Sequence, residues 1–84
     1  MNPVLTVYFD GLCKVCSHEI EIYRRRDRTA QVRWVDIMDP RFEPASEGLD
    51  PVLIHQEMHA RRSDGALAVG VEAFVEIWKV IPGF

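Results

Sequence analysis

The chain has 84 residues, of which 48% are hydrophobic and 27% are charged, and its net charge at neutral pH is −3. This length suits one domain with a single core and excludes a second domain. No apolar run approaches the ~20 residues of a membrane-spanning helix, and the acidic balance disfavours nucleic acid as a partner. We therefore expect a single domain over residues 1–84 that neither spans a membrane nor binds nucleic acid.

The first predicted elements are a strand and a helix joined by a tight turn. Val4 to Phe9 is a nearly continuous apolar run with β-branched and aromatic residues, which is typical of a central strand buried on both faces. Asp10-Gly11 is a turn dipeptide. From Lys14 to about Asp27, apolar residues recur at three- and four-residue steps and predict an amphipathic helix that covers the strand. The stripe consists of Cys16, Ile20 and Tyr23, with Val15 and Ile22 beside it.

Both cysteines, Cys13 and Cys16, lie at the predicted start of this helix. Unpaired backbone N–H groups and the positive end of the helix dipole favour a thiolate there, and the thiolate is the form that attacks disulfides and binds metals. Lys14 between them indicates an exposed edge rather than two buried hydrophobic residues. The pair therefore predicts thiol redox chemistry or metal binding. Asp10 is either a proton acceptor for the second thiol or only a turn residue.

The middle of the chain predicts a second strand and an irregular segment. Gln31 to Ile37 alternates in hydrophobicity, and the helical crossover before it makes this strand parallel to the first. Residues 38–48 contain Pro40, Pro44 and Gly48 and are predicted to form a loop with at most a short helical turn. Asp50-Pro51 is predicted to open a short helix that ends at about Gln56.

The last third predicts a hairpin and a helix. Met58 to Val69 is predicted to form two short antiparallel strands around Asp64-Gly65, a dipeptide preferred in tight turns. Val71 to Val80 predicts a helix stopped by Pro82-Gly83. Its apolar face is expected to consist of Val71, Phe74, Val75 and Trp78. The resulting order, β-α-β-α-β-β-α with a mixed sheet flanked by helices, is the α/β order of a thioredoxin-like fold.

The stretch Tyr-Phe-Asp-Gly-Leu-Cys-Lys-Val-Cys, from Tyr8 to Cys16, resembles the Asp-x-x-Cys-x-x-Cys signature of the thiol-disulfide oxidoreductase DCC family, a thioredoxin-like branch. Two further parts of the chain are similar to later segments of that family. They are Trp34 to Ile37, and Asp64-Gly65 followed by Gly70 to Phe74. The resemblance covers most of the chain. Because family members generally continue for several dozen residues beyond this point, it implies a short or C-terminally truncated member.

We predict a thiol-disulfide oxidoreductase in which Cys13 and Cys16 exchange a dithiol for a disulfide with a protein or low-molecular-weight thiol partner. Cys13 is expected to attack and Cys16 to resolve, because this spacing at a helix start exposes the first sulfur and turns the second inward. The resemblance adds Asp10 as the third catalytic residue. It implies neither a cofactor nor a bound metal, and the sequence does not fix the oligomeric state.

Two alternatives come from other classes of protein. Cys13 and Cys16 together with His55 and His59 supply two thiolates and two imidazoles, each pair at a spacing that suits tetrahedral zinc. The separation between the pairs is far longer than in a zinc finger. The second alternative is a non-catalytic interaction module, since a fold does not by itself imply a function.

The two ends of the chain give further expectations. The N-terminus lacks the basic region and apolar stretch of a signal peptide, which predicts a cytoplasmic protein whose thiols are kept reduced. Near the C-terminus, Trp78, Ile81 and Phe84 are expected to form an exposed apolar patch.

Overall fold

The computed structural model describes residues 3–81 and residue 83. The strands are β1 (Leu5–Phe9), β2 (Val32–Asp36), β3 (His59–Arg62) and β4 (Leu67–Val69), and the helices are α1 (Lys14–Arg26) and α2 (Val71–Val80). Two short 3-10 turns, Pro44–Glu47 and Leu53–His55, lie between β2 and β3. The helix predicted from Asp50 through Gln56 is therefore wrong in extent, because only a single 3-10 turn forms there. Pro82, which was predicted to help end α2, lies outside the described residues.

The four strands form one mixed sheet in the order β2-β1-β3-β4. β1 runs parallel to β2, as predicted from the helical crossover, and antiparallel to β3, while β3 and β4 form the predicted antiparallel hairpin. Phe9 lies opposite Asp36 at the carboxyl ends of the parallel pair. The turn that follows β1 therefore lies beside the residues that follow β2.

One face of the sheet, here called the helix-covered face, carries both helices and most of the apolar core. Ile20 and Tyr23 of α1 and Ala73 and Ile77 of α2 are buried against it, as is Ile81. The strand residues in this cluster are Leu5, Val7, Phe9, Val32 and Ala60. This confirms the predicted stripe of α1 at Ile20 and Tyr23, whereas Val15 is 75% exposed.

The apolar face predicted for α2 is wrong except at Phe74, which is partly buried and packs against the core cluster. The buried residues of this helix are Ala73 and Ile77, and Ile81 continues their four-residue spacing just beyond the helix, whereas Val71 and Trp78 are exposed. The expected C-terminal patch is also wrong in part, because Ile81 is buried. Trp78 is exposed yet anchored, since its Nε1 donates a hydrogen bond to the Tyr23 hydroxyl at 3.1 Å. Phe84 lies outside the described residues.

The opposite face, here called the loop-covered face, is closed by the irregular segment 38–57 instead of a helix. Its apolar cluster consists of Tyr8, Ile37, Leu49 and Ile54, with Val35 and Phe42 packed against it. Beside this cluster Glu47 accepts hydrogen bonds from the Tyr8 hydroxyl and from Arg33, both at 2.9 Å. Arg61 donates to the Glu47 carbonyl at 2.8 Å. Polar contacts therefore hold this segment on the sheet.

Within the described part of the chain, neither α-helix has the length and apolar character needed to cross a lipid bilayer.

Candidate active site

The turn between β1 and α1 is held by hydrogen bonds at each of its residues. The Asp10 carboxylate accepts from the Leu12 N–H at 2.9 Å, and the Asp10 carbonyl accepts from the Cys13 N–H at 3.2 Å. The Ser17 hydroxyl donates to the Gly11 carbonyl at 2.9 Å. Asp10 thus closes an Asx turn, which is the local structure expected of a turn residue at this position. These contacts fix where α1 begins and therefore where the first cysteine lies.

Cys13 is the N-cap of α1, with an extended backbone and its side chain folded over the first turn of the helix. Its sulfur accepts a hydrogen bond from the Cys16 N–H at 3.3 Å. Serine, threonine, aspartate or asparagine usually satisfies this N–H at a helix start. A thiolate at the cap takes the same place and gains the favourable interaction with the helix dipole.

The two thiols differ in their tendency to ionise. The pKa of Cys13 lies below its ordinary value because the Cys16 thiol, and then the Cys16 backbone N–H, hydrogen-bond to its sulfur. The same thiol-to-sulfur contact, together with burial and the negative charge of Cys13, raises the pKa of Cys16 to about 11. Of the two thiols, Cys13 is therefore the one that ionises more readily. The negative charge of Asp10 raises the pKa of both thiols, as a smaller contribution.

A groove of about 250 Å³ opens beside the two sulfurs. Its walls come from the end of β1, from Ile37 after β2, and from the 54–58 segment that precedes β3. The lining residues are Tyr8, Phe9, Asp10, Cys13, Cys16, Ile37, Ile54, His55, Gln56, Glu57 and Met58. Leu12 and Val15 next to the cysteines are each 75% exposed. The sulfurs therefore lie at the edge of an apolar concave surface that a second molecule can enter.

The histidines of the zinc alternative do not join the cysteines in a ligand cluster. His59 is buried, and its Nδ1 lies 2.8 Å from the Glu57 carbonyl, while His55 is exposed at the rim of the groove. Among residues 3–81 and 83, no three histidine, cysteine, aspartate or glutamate side chains converge closely enough to hold a metal ion. The proposed set of four ligands is therefore not assembled in this structure.

Sequence reasoning missed the role of Asp36 at this site. Its Oδ1 accepts hydrogen bonds from the Gly11 N–H at 3.0 Å and from the Met38 N–H at 2.9 Å. The sequence did not single out Asp36, because the contact joins residues 25 positions apart. The available signal was the similarity of Trp34 to Ile37 to a later segment of the DCC family.

Comparison with known proteins agrees with the chemistry of this site. The model of the DCC1-like thiol-disulfide oxidoreductase family matches residues 7–84. An uncharacterized chloroplastic protein of Arabidopsis thaliana is 29% identical in an alignment of 82 residues that covers 95% of this chain and 38% of that protein. The chain thus spans well under half of that relative's length. No solved structure matches the chain. Because the family model covers nearly the whole sequence, the chain belongs to the DCC1-like thiol-disulfide oxidoreductase family.

Proposed function

We propose that this chain is a thioredoxin-like thiol-disulfide oxidoreductase in which Cys13 is the nucleophile and Cys16 the resolving thiol. The observation that carries the proposal is the contact at the helix cap, where the Cys13 sulfur accepts a hydrogen bond from the Cys16 N–H at 3.3 Å. The Cys16 thiol and this N–H lower the pKa of Cys13, whereas the pKa of Cys16 is raised to about 11, so Cys13 is the thiol that ionises first. Unequal thiols at this spacing suit a two-step exchange, because one is ready to attack and the other is held back until a mixed disulfide forms.

In the first step the Cys13 thiolate attacks one sulfur of a partner disulfide. A bond forms between Cys13 and that sulfur, the partner's disulfide bond breaks, and the second partner sulfur leaves as a thiolate. In the next step Cys16 loses its proton and attacks the Cys13 sulfur, which releases the first partner sulfur. The partner gains two electrons and ends as a dithiol, while Cys13 and Cys16 lose two electrons and end as a disulfide. The reverse sequence oxidises a partner dithiol.

Asp10 is the proposed base for the second step. Its side chain lines the same groove as both cysteines, and its negative charge raises the pKa of both thiols. Formation of the mixed disulfide removes the negative charge of Cys13, which is one cause of the high pKa of Cys16. The Cys16 proton is then easier to remove, and a neighbouring carboxylate is a suitable acceptor.

The groove favours a polypeptide partner over a small acidic thiol. Its lining is largely apolar, it includes the carboxylates of Asp10 and Glu57, and none of its described lining residues is lysine or arginine. The exposed side chains of Leu12 and Val15 enlarge the apolar surface on the outer side. The proposed location is the cytoplasm, a compartment in which such a thiol pair is kept reduced.

The experiment is a glutathione redox titration read by intact mass, with zinc content measured on the protein as purified. The proposal predicts a reversible loss of two hydrogen atoms and no stoichiometric zinc. In Cys16→Ser, the mixed disulfide at Cys13 should accumulate, and in Cys13→Ser it should not form. Stoichiometric zinc without a reversible disulfide would contradict the proposal, as would a mixed disulfide trapped at Cys16 in the Cys13→Ser protein.

Asp10→Asn tests the base separately. Without the negative charge, the first attack by Cys13 should be unchanged or faster, because the charge raises the pKa of that thiol. Without the base, resolution should slow by ~100-fold, so mixed disulfide should accumulate after rapid mixing with a model disulfide. If both steps keep their wild-type rates, Asp10 is only the turn residue seen in its hydrogen bond to Leu12.

A further inference from the structure

The turn that carries Cys13 is held from outside its own segment by one side chain of the neighbouring strand. Asp36 is the last residue of β2, and its Oδ1 accepts from the Gly11 N–H at 3.0 Å. The same oxygen accepts from the Met38 N–H at 2.9 Å. One carboxylate oxygen therefore joins the turn after β1 to the chain that leaves β2.

The space around Gly11 shows that this contact is a close fit. A Cβ atom at position 11 would overlap the carboxylate of Asp36. Gly11 is not among the described glycines with positive φ, so glycine is not required there for its backbone conformation. The absence of a side chain at residue 11 is what allows the carboxylate to reach the backbone. Gly11 and Asp36 are therefore matched to each other.

Gly11 and Asp36 lie close to the reactive cysteine. Gly11 donates its N–H to Asp36 and accepts the Ser17 hydroxyl on its carbonyl, so its peptide groups connect the end of β2 to the first turn of α1. Cys13 follows two residues later, and its sulfur must meet the Cys16 N–H at hydrogen-bonding distance. A rotation of the turn would move the cap residue away from the helix start and weaken that contact.

We propose that Asp36 is a positioning residue of the active site, whose carboxylate fixes the Asp10-Gly11 turn and thereby holds the Cys13 sulfur over the first turn of α1. This inference rests on the proposed role of Cys13 as the nucleophile. Asp36 does not touch the sulfur, so it acts through the backbone of Gly11. Asparagine can replace it as a neutral hydrogen-bond acceptor, whereas alanine cannot.

The test is iodoacetamide labelling of Cys13 as a function of pH, resolved by peptide mass, in Asp36→Ala and Asp36→Asn. In Asp36→Ala the labelling rate at pH 7 should fall about three- to tenfold and the pKa of Cys13 should rise towards that of an ordinary thiol. Asp36→Asn should restore the rate to within about twofold, because the amide oxygen can accept the same hydrogen bonds. Asp39→Ala is the matched control, since Asp39 lies three residues after Asp36 in the segment that leaves β2 and pairs with Arg41 at 2.9 Å.

Gly11→Ala disturbs the same contact by changing Gly11 instead of Asp36. It therefore provides the test if the Asp36→Ala protein does not fold. Its added methyl group should displace the carboxylate and slow Cys13 labelling by a similar factor. Combined with Asp36→Ala it should add little, because the two substitutions remove one contact. A wild-type Cys13 pKa in either single variant would overturn the proposal, and so would failure of Asp36→Asn to restore the rate.

Labelling needs no disulfide partner, so this result is independent of the exchange activity. If the wild-type protein shows no disulfide exchange but its Cys13 labelling still depends on Asp36, the proposed function is contradicted and the contact between Asp36 and the turn still positions the sulfur. If exchange is normal and Cys13 labelling does not depend on Asp36, only the positioning role is contradicted.

Discussion

The two faces of the sheet are closed by different kinds of interaction. On the helix-covered face, two regular helices bury an apolar cluster that includes Ile20 and Ile77. On the loop-covered face, an irregular segment contributes Leu49 and Ile54 and is also held by the hydrogen bonds and charges around Glu47. The first face relies on close packing, and the second combines a smaller apolar cluster with polar contacts.

The candidate active site lies where the two faces meet. Phe9 of the helix-covered cluster and Ile37 and Ile54 of the loop-covered cluster all line the groove beside the sulfurs. One wall of the groove therefore belongs to the tightly packed core, and the other belongs to a segment with little regular structure. Three substitutions with different expected effects test this contrast.

The largest effect is expected for Ile77→Ala on α2. Ile77 is fully buried between regular elements that cannot close around a cavity, so the loss of its side chain should lower the free energy of unfolding by about 4 kcal/mol. Urea unfolding followed by far-UV circular dichroism measures the change. For a chain of this size such a loss is a large share of the total stability. A loss below ~2 kcal/mol would show that the helix-covered face is not tightly packed.

Ile54→Ala makes the same chemical change on the other face. Ile54 is also buried, at 2% exposure, but its 3-10 turn is flanked by exposed residues and can shift inwards. The free energy of unfolding should therefore fall by about 2 kcal/mol. Because Ile54 lines the groove, exchange with a polypeptide disulfide should also slow, while the pKa of Cys13 stays unchanged. A stability loss equal to that of Ile77→Ala would remove the contrast between the faces.

The smallest effect is expected for Glu47→Gln. Burial alone would raise the pKa of Glu47, but hydrogen bonds from Arg33 and Tyr8 and the charges of Arg33 and Arg61 outweigh it, so the pKa lies below its ordinary value. The substitution should cost about 1 kcal/mol at pH 7. A lowered pKa contributes stability above the unfolded-state value, near 4.5, and that contribution is lost as the pH falls through the folded-state value.

The difference between wild type and Glu47→Gln should therefore be largest near neutral pH and should shrink below about pH 4.5. Glu43→Gln is the matched control, because Glu43 lies in the same segment, is exposed, and makes no ion pair with any described residue. A pH-independent difference, or an equal effect of Glu43→Gln, would show that the charge of Glu47 does not hold the segment.

The regular elements could be predicted from the sequence because their signals are local. The apolar run of β1 and the spacing of Ile20 and Tyr23 gave the first strand and helix to within a residue at each end. Apart from Phe74, the buried face of α2 was misassigned, because this helix carries aromatic and aliphatic residues on several of its sides. Only packing against the sheet determines that Ala73 and Ile77 face inwards.

The site was only partly predictable for a related reason. The cysteine pair and Asp10 form one short motif, so their proximity follows from chain connectivity. Asp36 and the groove residues Ile54 and Met58 reach the site through the pairing of β1 with β2 and β3. The contact between Gly11 and Asp36 spans 25 residues and therefore leaves no local pattern in the sequence. The segment after Asp50 has a single buried residue in its 3-10 turn, Ile54, and one residue is too few to define an apolar stripe.

The proposed exchange depends on a thiolate at Cys13 and a proton held at Cys16. Site-resolved alkylation of the reduced wild-type protein from about pH 5 to about pH 11, read by peptide mass, measures both thiols in one sample. With brief labelling, Cys13 should react first, with a midpoint below that of an ordinary cysteine. In molecules whose Cys13 is still free, Cys16 should stay largely unlabelled until the pH approaches about 11. Equal labelling of the two thiols at neutral pH, or faster labelling of Cys16, would contradict this assignment.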